Sequence, residues 1–234
     1  MCSAARADLE LLLRARKLDV TLTSAAGRAL PDDRVAPTGV PALDTALGGG
    51  LRRGHLSEVV GERSTGRTTL VCQVMAAAAA RGEITALVDT HDRFDPRSAA
   101  AAGVDLSRLL WIRDRGDAAR ALKAMNLVLQ AGGFGVVVLD LADARGPAVR
   151  SFPPTTWMRL SRIIEGGDTV ALLVGRTRLA RSPGGVTVAL GDAGDASHVR
   201  WSGTTDRSRL LGGIVAEPRV ISSRRAVHAV PVRA

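Results

Sequence analysis

Nine residues, Gly61-Glu62-Arg63-Ser64-Thr65-Gly66-Arg67-Thr68-Thr69, carry glycines and hydroxyl side chains at the spacing of a phosphate-binding P-loop. In such a loop the glycines let successive backbone N–H groups turn inward around phosphate oxygens, and the helix that follows adds its positive N-terminal dipole to the same anion. Arg67 stands where the pattern has a nucleotide-contacting lysine. Lysine reaches phosphates as a slim point charge, whereas guanidinium is planar, wider and suited to forked contacts, so the exchange is not conservative. The spacing therefore predicts a place for phosphate and a loop poorly equipped for hydrolysis. Asp140 belongs to the same chemistry, because it ends the apolar run Val136-Val137-Val138-Leu139, where an aspartate can orient Mg²⁺ through water.

These residues need a strand, a tight loop and a helix in that order. Residues 56–60 form a short apolar run leading into the loop, and 68–80 form an alanine-rich stretch that stops near Gly82, which predicts that context. Further strands are expected at 84–89, 136–140 and 169–175, with helices at 118–130 and 156–165 between them. Shorter strands are expected at 186–190, 198–201 and 214–221. Alternation of this kind predicts an α/β fold with a mostly parallel sheet flanked by helices and antiparallel strands at the C-terminal edge.

The 234 residues, 46% of them hydrophobic, suffice for one well-buried domain with a small appendage. The appendage is expected over 1–34. Leu9, Leu12, Leu13 and Leu18 make one apolar stripe on a helix at 7–18, and Gly27, Pro31, Pro37, Gly39 and Pro41 mark 24–41 as a linker. The core domain is expected over 35–234. The stripe with Leu9, Leu12 and Leu13 reads either as packing on its own domain or as an arm that docks on a partner. No apolar run is long enough to span a membrane and the start has no signal-peptide core, so a cytoplasmic protein is expected. Four histidines and two cysteines show no metal-binding spacing, and no metal site is expected from them.

The net charge of +9 is almost entirely arginine, since Lys17 and Lys123 are the only lysines. A basic balance favours an acidic partner, either nucleic acid or an acidic protein surface. Aromatic residues make up 3% with no tyrosine, which argues against a base-stacking platform.

The segment Thr38-Gly39-Val40-Pro41-Ala42-Leu43-Asp44, then Leu47-Gly48-Gly49-Gly50-Leu51 and Gly54, resembles the opening of the RecA-family ATPase core, and Val88-Asp89 through Phe94-Asp95-Pro96 continues it. Within that family, Arg14-Ala15-Arg16-Lys17-Leu18-Asp19, residues 124–135, Arg181-Ser182-Pro183-Gly184-Gly185 and Arg200-Trp201-Ser202-Gly203 are similar to the ImuA group, RecA-like accessory proteins of bacterial mutagenic lesion bypass. The resemblance implies a RecA-like core, a role in the SOS response to DNA damage, and partnership with RecA, an ImuB-type protein and an error-prone replicative-type polymerase.

It also exposes departures. The position of the RecA catalytic glutamate is matched by His91, and the γ-phosphate-sensing glutamine by Arg176. Binding of ATP and Mg²⁺ is therefore expected to be weak or absent. The connections that follow 136–140 and 169–175, DNA-binding loops in RecA, look short here, at 141–155 and 176–185. Arg145, Arg150, Arg176, Arg178 and Arg181 are candidates for weak, sequence-independent phosphate contacts, or else form a solvated basic face. Arg224 and Arg225 in the tail are candidates for an acidic partner. Two readings stand beside the adaptor: a DNA-stimulated ATPase using Arg67 and Asp140, and a cell-division inhibitor related to SulA.

Overall fold

The computed structural model describes residues 34–180, 184–191, 198–202, 205, 210–215 and 218–222. Its centre is a run of β-branched and leucine-rich strands too apolar to face water on either side. These are β3 (Leu56–Gly61), β4 (Thr85–Asp89), β6 (Val136–Asp140) and β7 (Val170–Gly175), preceded by the two-residue pair β1 (Val35–Ala36) and β2 (Leu51–Arg52). A strand not expected from the sequence, β5 (Leu109–Arg113), pairs in parallel with β4. With β8 (Thr187–Leu190) and β11 (Pro218–Ser222) the sheet reads β11-β8-β3-β7-β6-β4-β5, parallel throughout except for the antiparallel β11. The segment expected as one strand at 214–221 is instead divided between β11 and β10 (Leu210–Val215), and β10 pairs with β9 (His198–Ser202) in a separate two-stranded sheet.

Helices cover both faces. On one lies α2 (Arg67–Ala80), whose Leu70, Val71, Val74, Met75 and Ala78 share a core with Val59, Leu87, Val138, Leu172 and Val174. The same core takes Leu43 from α1 (Pro41–Leu47) and Ala99 from α3 (Pro96–Ala101). Thus 41–47, part of which reads as linker in the sequence, is a helix started by proline and closed by left-handed Gly48. On the other face, α4 (Ala118–Ala131) supplies Ala121, Met125, Val128 and Leu129, and α6 (Pro154–Ile164) supplies Trp157, Leu160 and Ile164. They pack on Leu56, Ala86, Val88, Val137, Leu139, Ala171 and Leu173, the alternate residues of the same strands. The connection at 141–155 holds a further helical turn, α5 (Gly146–Arg150), so it is more ordered than a short loop.

Between β5 and α4 the chain turns around Asp114, which is only 6% exposed. Its carboxylate accepts N–H bonds from Arg115 and Asp117 and a fork from Arg120 Nε (2.7 Å) and Nη2 (2.9 Å). The Arg120 bond, then the backbone donors, hold its pKa well below the usual carboxylate range against desolvation. A depressed pKa contributes stability that is present above the ordinary carboxylate value and lost as pH falls through the folded one. Asp114→Ala is therefore expected to cost about 2 kcal/mol at neutral pH, mostly from the backbone donors because water screens Arg120, and the cost should shrink in acid. Urea titrations of both proteins at neutral and strongly acidic pH check this.

Candidate functional site

β3 delivers Gly61 to a place where no side chain fits. A Cβ there would collide with the Leu190 carbonyl oxygen and sit 2.7 Å from Thr65 Oγ1. Thr65 is itself buried and donates its hydroxyl to the Glu62 carbonyl at 2.8 Å, which closes the loop. Ser64 has φ of 62° and Gly66 φ of 92°, so the backbone turns through the left-handed region at both. For serine that conformation is uncommon, and such outliers gather where a site over-determines the backbone. Gly66 then starts α2 with no side-chain cap and no acidic residue in the first turn. The first-turn N–H groups of α2, with exposed Thr68 and Thr69 among its first residues, are thus suited to an anion.

Arg67 is 9% exposed and its Nη1 donates to the carbonyl oxygen of Gly175, the last residue of β7, at 3.1 Å. Desolvation lowers its pKa first; the Asp140 and Asp143 carboxylates offset this, and Arg176 works with desolvation. It remains a cation, as guanidinium does in proteins.

Asp140 lies across from Asp89 in the β4–β6 register, and its Oδ1 accepts the Ala142 N–H at 2.8 Å. Burial pushes its pKa up, Asp89 adds to that shift, and the Ala142 N–H and Arg67 oppose it. Asp89 is saturated by the N–H groups of His91, Arg93 and Phe94 and by Trp111 Nε1. It is therefore a turn-builder, and the turn that it builds carries His91 and the left-handed Asp92 (φ 54°). The His91 ring rests near Gly116, where an added Cβ would lie 3.5 Å from Nε2. Asp92 forks with Arg113 at 2.7 Å twice, and that guanidinium lies 4.7 Å over the Trp111 ring.

Two residues that the sequence did not single out organise the rim. Asp143 gathers three guanidinium groups: Arg63 Nη2 at 2.8 Å, Arg93 Nε at 3.7 Å and Arg176 Nη2 at 3.9 Å. The Arg63 hydrogen bond, above all, holds the Asp143 pKa down. Glu58, 2% exposed, accepts N–H bonds from Leu179 (2.8 Å) and Ala180 (2.5 Å) and a hydroxyl bond from Thr187. A carboxylate inside β3, whose other residues are small or apolar, was the available signal for Glu58. Asp143 offered only its place three residues after Asp140.

The structure thus brings Gly61 to Thr69, Asp140, His91 and Arg176 to one end of the sheet. Arg145 takes the N-cap position of α5 without a side-chain hydrogen bond there and is exposed, as are Arg150 and Arg178. Leu9, Leu12, Leu13, Arg181, Arg224 and Arg225 lie outside the described residues. Among the described residues no three His, Cys, Asp or Glu side chains are grouped to hold a metal ion. No described helix is long and apolar enough to cross a membrane. The loop and the uncapped helix start fit phosphate groups. A hydrated Mg²⁺ would have the exposed Thr68 hydroxyl and the second Asp140 oxygen as partners, while the Ala142 N–H already holds Asp140 Oδ1 and burial disfavours its charged form.

Residues 24–150, more than half of the chain, match the family model described as RecA N-terminal domain. The RecA protein of Methylococcus capsulatus is 42% identical over 121 residues, 51% of this chain and 34% of that protein. The RecA protein of Chlorobium chlorochromatii is 43% identical over 111 residues, 47% of this chain and 31% of that one. The chain thus spans about a third of the length of the curated relatives it matches. The crystal structure of the RadB recombinase superposes with a TM-score of 0.51 at 20% identity, covering 70% of this chain and 86% of that chain, a likeness of fold. With the phosphate loop at the mouth of the parallel sheet and the family model matched across it, the chain belongs to the RecA family.

Proposed function

We propose that the chain is a RecA-fold adaptor of the bacterial SOS response, of the ImuA type. It supports error-prone translesion synthesis through contacts with RecA, an ImuB-type polymerase-like protein and an error-prone replicative-type polymerase in the cytoplasm. The similarity to RecA proteins and to a recombinase fold supports a place in DNA repair. The observation that carries the adaptor reading is Arg67. Its guanidinium is committed to Gly175 at the end of β7 while His91 and Arg176 stand where water activation and phosphate sensing would need other side chains. A general base must reach the proton that it removes, and neither Asp89 nor Asp140 has its carboxylate free of backbone N–H donors.

The adaptor should co-purify with RecA or the ImuB-type protein at micromolar concentration. Purified with Mg-ATP, with or without single-stranded DNA, it should release phosphate no faster than its Asp140→Ala variant. Failure to bind either partner at that concentration would sink the reading. The second reading, a DNA-stimulated ATPase, is favoured by the left-handed Ser64 and the uncapped start of α2, and DNA-dependent turnover lost in Asp140→Ala would put it first.

A further inference from the structure

Arginine is the dominant charged residue at this rim, and it is concentrated on one carboxylate. Arg63 places both Nε (3.2 Å) and Nη2 (2.8 Å) on Asp143 Oδ1, Arg93 approaches Oδ2, and Arg176 approaches Oδ1 while also donating to the Ala142 carbonyl. These arginines come from three different loops: the phosphate loop, the turn after β4 and the segment after β7. Only the fold brings them together. The guanidinium fork that grips a carboxylate is the same fork that grips a phosphate, so each contact to Asp143 is one that a phosphate oxygen can take over.

The other acidic groups near this end of the sheet differ from Asp143. Asp89 is filled by backbone N–H groups and Trp111, Asp140 has accepted the Ala142 N–H, and Glu62 is exposed. Asp143 is 24% exposed at the side chain, and the arginine side chains around it are 45% to 70% exposed, so an incoming anion can reach them. Arg67 adds a fourth guanidinium at the loop itself.

In a metal-dependent phosphate loop, the divalent ion neutralises the polyphosphate chain and bridges its oxygens. Here four fixed cations, Arg63, Arg93 and Arg176 around Asp143 and Arg67 at the loop, already stand at the site. We propose that this site binds the polyphosphate chain of a nucleotide without a divalent metal. Arg63, Arg93 and Arg176 exchange Asp143 for phosphate oxygens and, with Arg67, supply the charge that a metal would bring. Asp143 is then an internal competitor that the ligand must displace. The inference rests on reading the phosphate loop as a retained binding feature, and it adds the ligand class and the absence of a metal requirement.

The test is isothermal titration of the full chain with sodium tripolyphosphate and with ATP, each in EDTA and in excess Mg²⁺. Both probes should bind in EDTA, and Mg²⁺ should change Kd by less than about threefold. Asp143→Asn, which removes the internal anion and keeps the shape, should tighten both probes about tenfold, and Arg63→Ala with Arg93→Ala should weaken both by about tenfold or more. Melting temperatures of the variants, at the exposed Arg63 and Arg93 and the half-buried Asp143, verify that each is folded. Binding that needs Mg²⁺, binding unchanged or weakened by Asp143→Asn, or no binding of either probe overturns the inference. So does an oligothymidylate that binds through these arginines while both triphosphate probes do not, which would reassign the cluster to nucleic acid. Partner co-purification is scored separately. A chain that fails here yet holds its partners loses only this inference, and one that binds tripolyphosphate in EDTA yet holds neither partner loses only the adaptor reading.

Discussion

Glu58→Ala is expected to lower stability by about 3 kcal/mol, from the loss of the acceptor for two backbone N–H groups and a hydroxyl in a place that water does not reach. Glu58 sits within β3 and is 2% exposed, yet among the described residues no arginine or lysine pairs with it. Its partners are the N–H groups of Leu179 and Ala180 and the Thr187 hydroxyl, all from the stretch that leads from β7 into β8. Removing the carboxylate leaves those donors unpaired and a cavity beneath them. Glu58→Gln keeps one good acceptor and should cost about half as much. Thermal unfolding reads both variants; a fall of roughly 6–12 °C is expected for the alanine variant. An alanine variant that melts with the parent would mean that 176–180 is held by something other than Glu58.

Trp157→Ala is expected to cost about 3–5 kcal/mol, whereas Met158→Ala should stay within about 0.5 kcal/mol of the parent. Both lie on α6 beside Leu160 and Ile164, and the sequence pattern alone treats them as one stripe. The helix separates them: Trp157 is 3% exposed and meets Phe152 edge-on with centroids 5.9 Å apart, while Met158 is 51% exposed. Chemical denaturation of the two single variants distinguishes them. Equal losses would mean that Met158 is covered in the folded chain.

The contrast explains what the sequence disclosed and what it withheld. Strands β3, β4, β6 and β7 were legible because each is a run of apolar residues buried on both faces, α4 and α6 because their apolar residues repeat at helical spacing, and α2 because an alanine-rich stretch follows the loop; α3 and α5, of six and five residues, are too short to show a period. Strand β5 was missed because an edge strand is covered less, and Leu109–Arg113 mixes partly buried residues with the exposed Leu110 and Arg113. The phosphate loop was legible because only glycine tolerates the contact of Gly61 with Leu190 and the left-handed turn at Gly66 is one glycine makes readily. Asp143 and Arg93 were not, because their significance lies in convergence across loops far apart in the chain, which spacing along the sequence cannot express. Glu58 was overlooked for a different reason: one carboxylate in an apolar run looked like noise in a strand pattern, although a buried charge is the exception that burial rules mark as meaningful.

The ties along the C-terminal end of the sheet run in sequence around it: Glu58 to the segment after β7, Arg67 to the last residue of β7, Arg176 to the connection after β6, and Asp143 to both the phosphate loop and the turn after β4. Loops held to one another in this way have few independent degrees of freedom. The entropy of arranging them is lost once, when the chain folds, and is not charged again to any ligand or partner that arrives. What meets an incoming molecule at this end of the sheet is therefore a set of loops already in place, with only the Arg63, Arg93 and Arg176 side chains left to turn from Asp143 to a ligand.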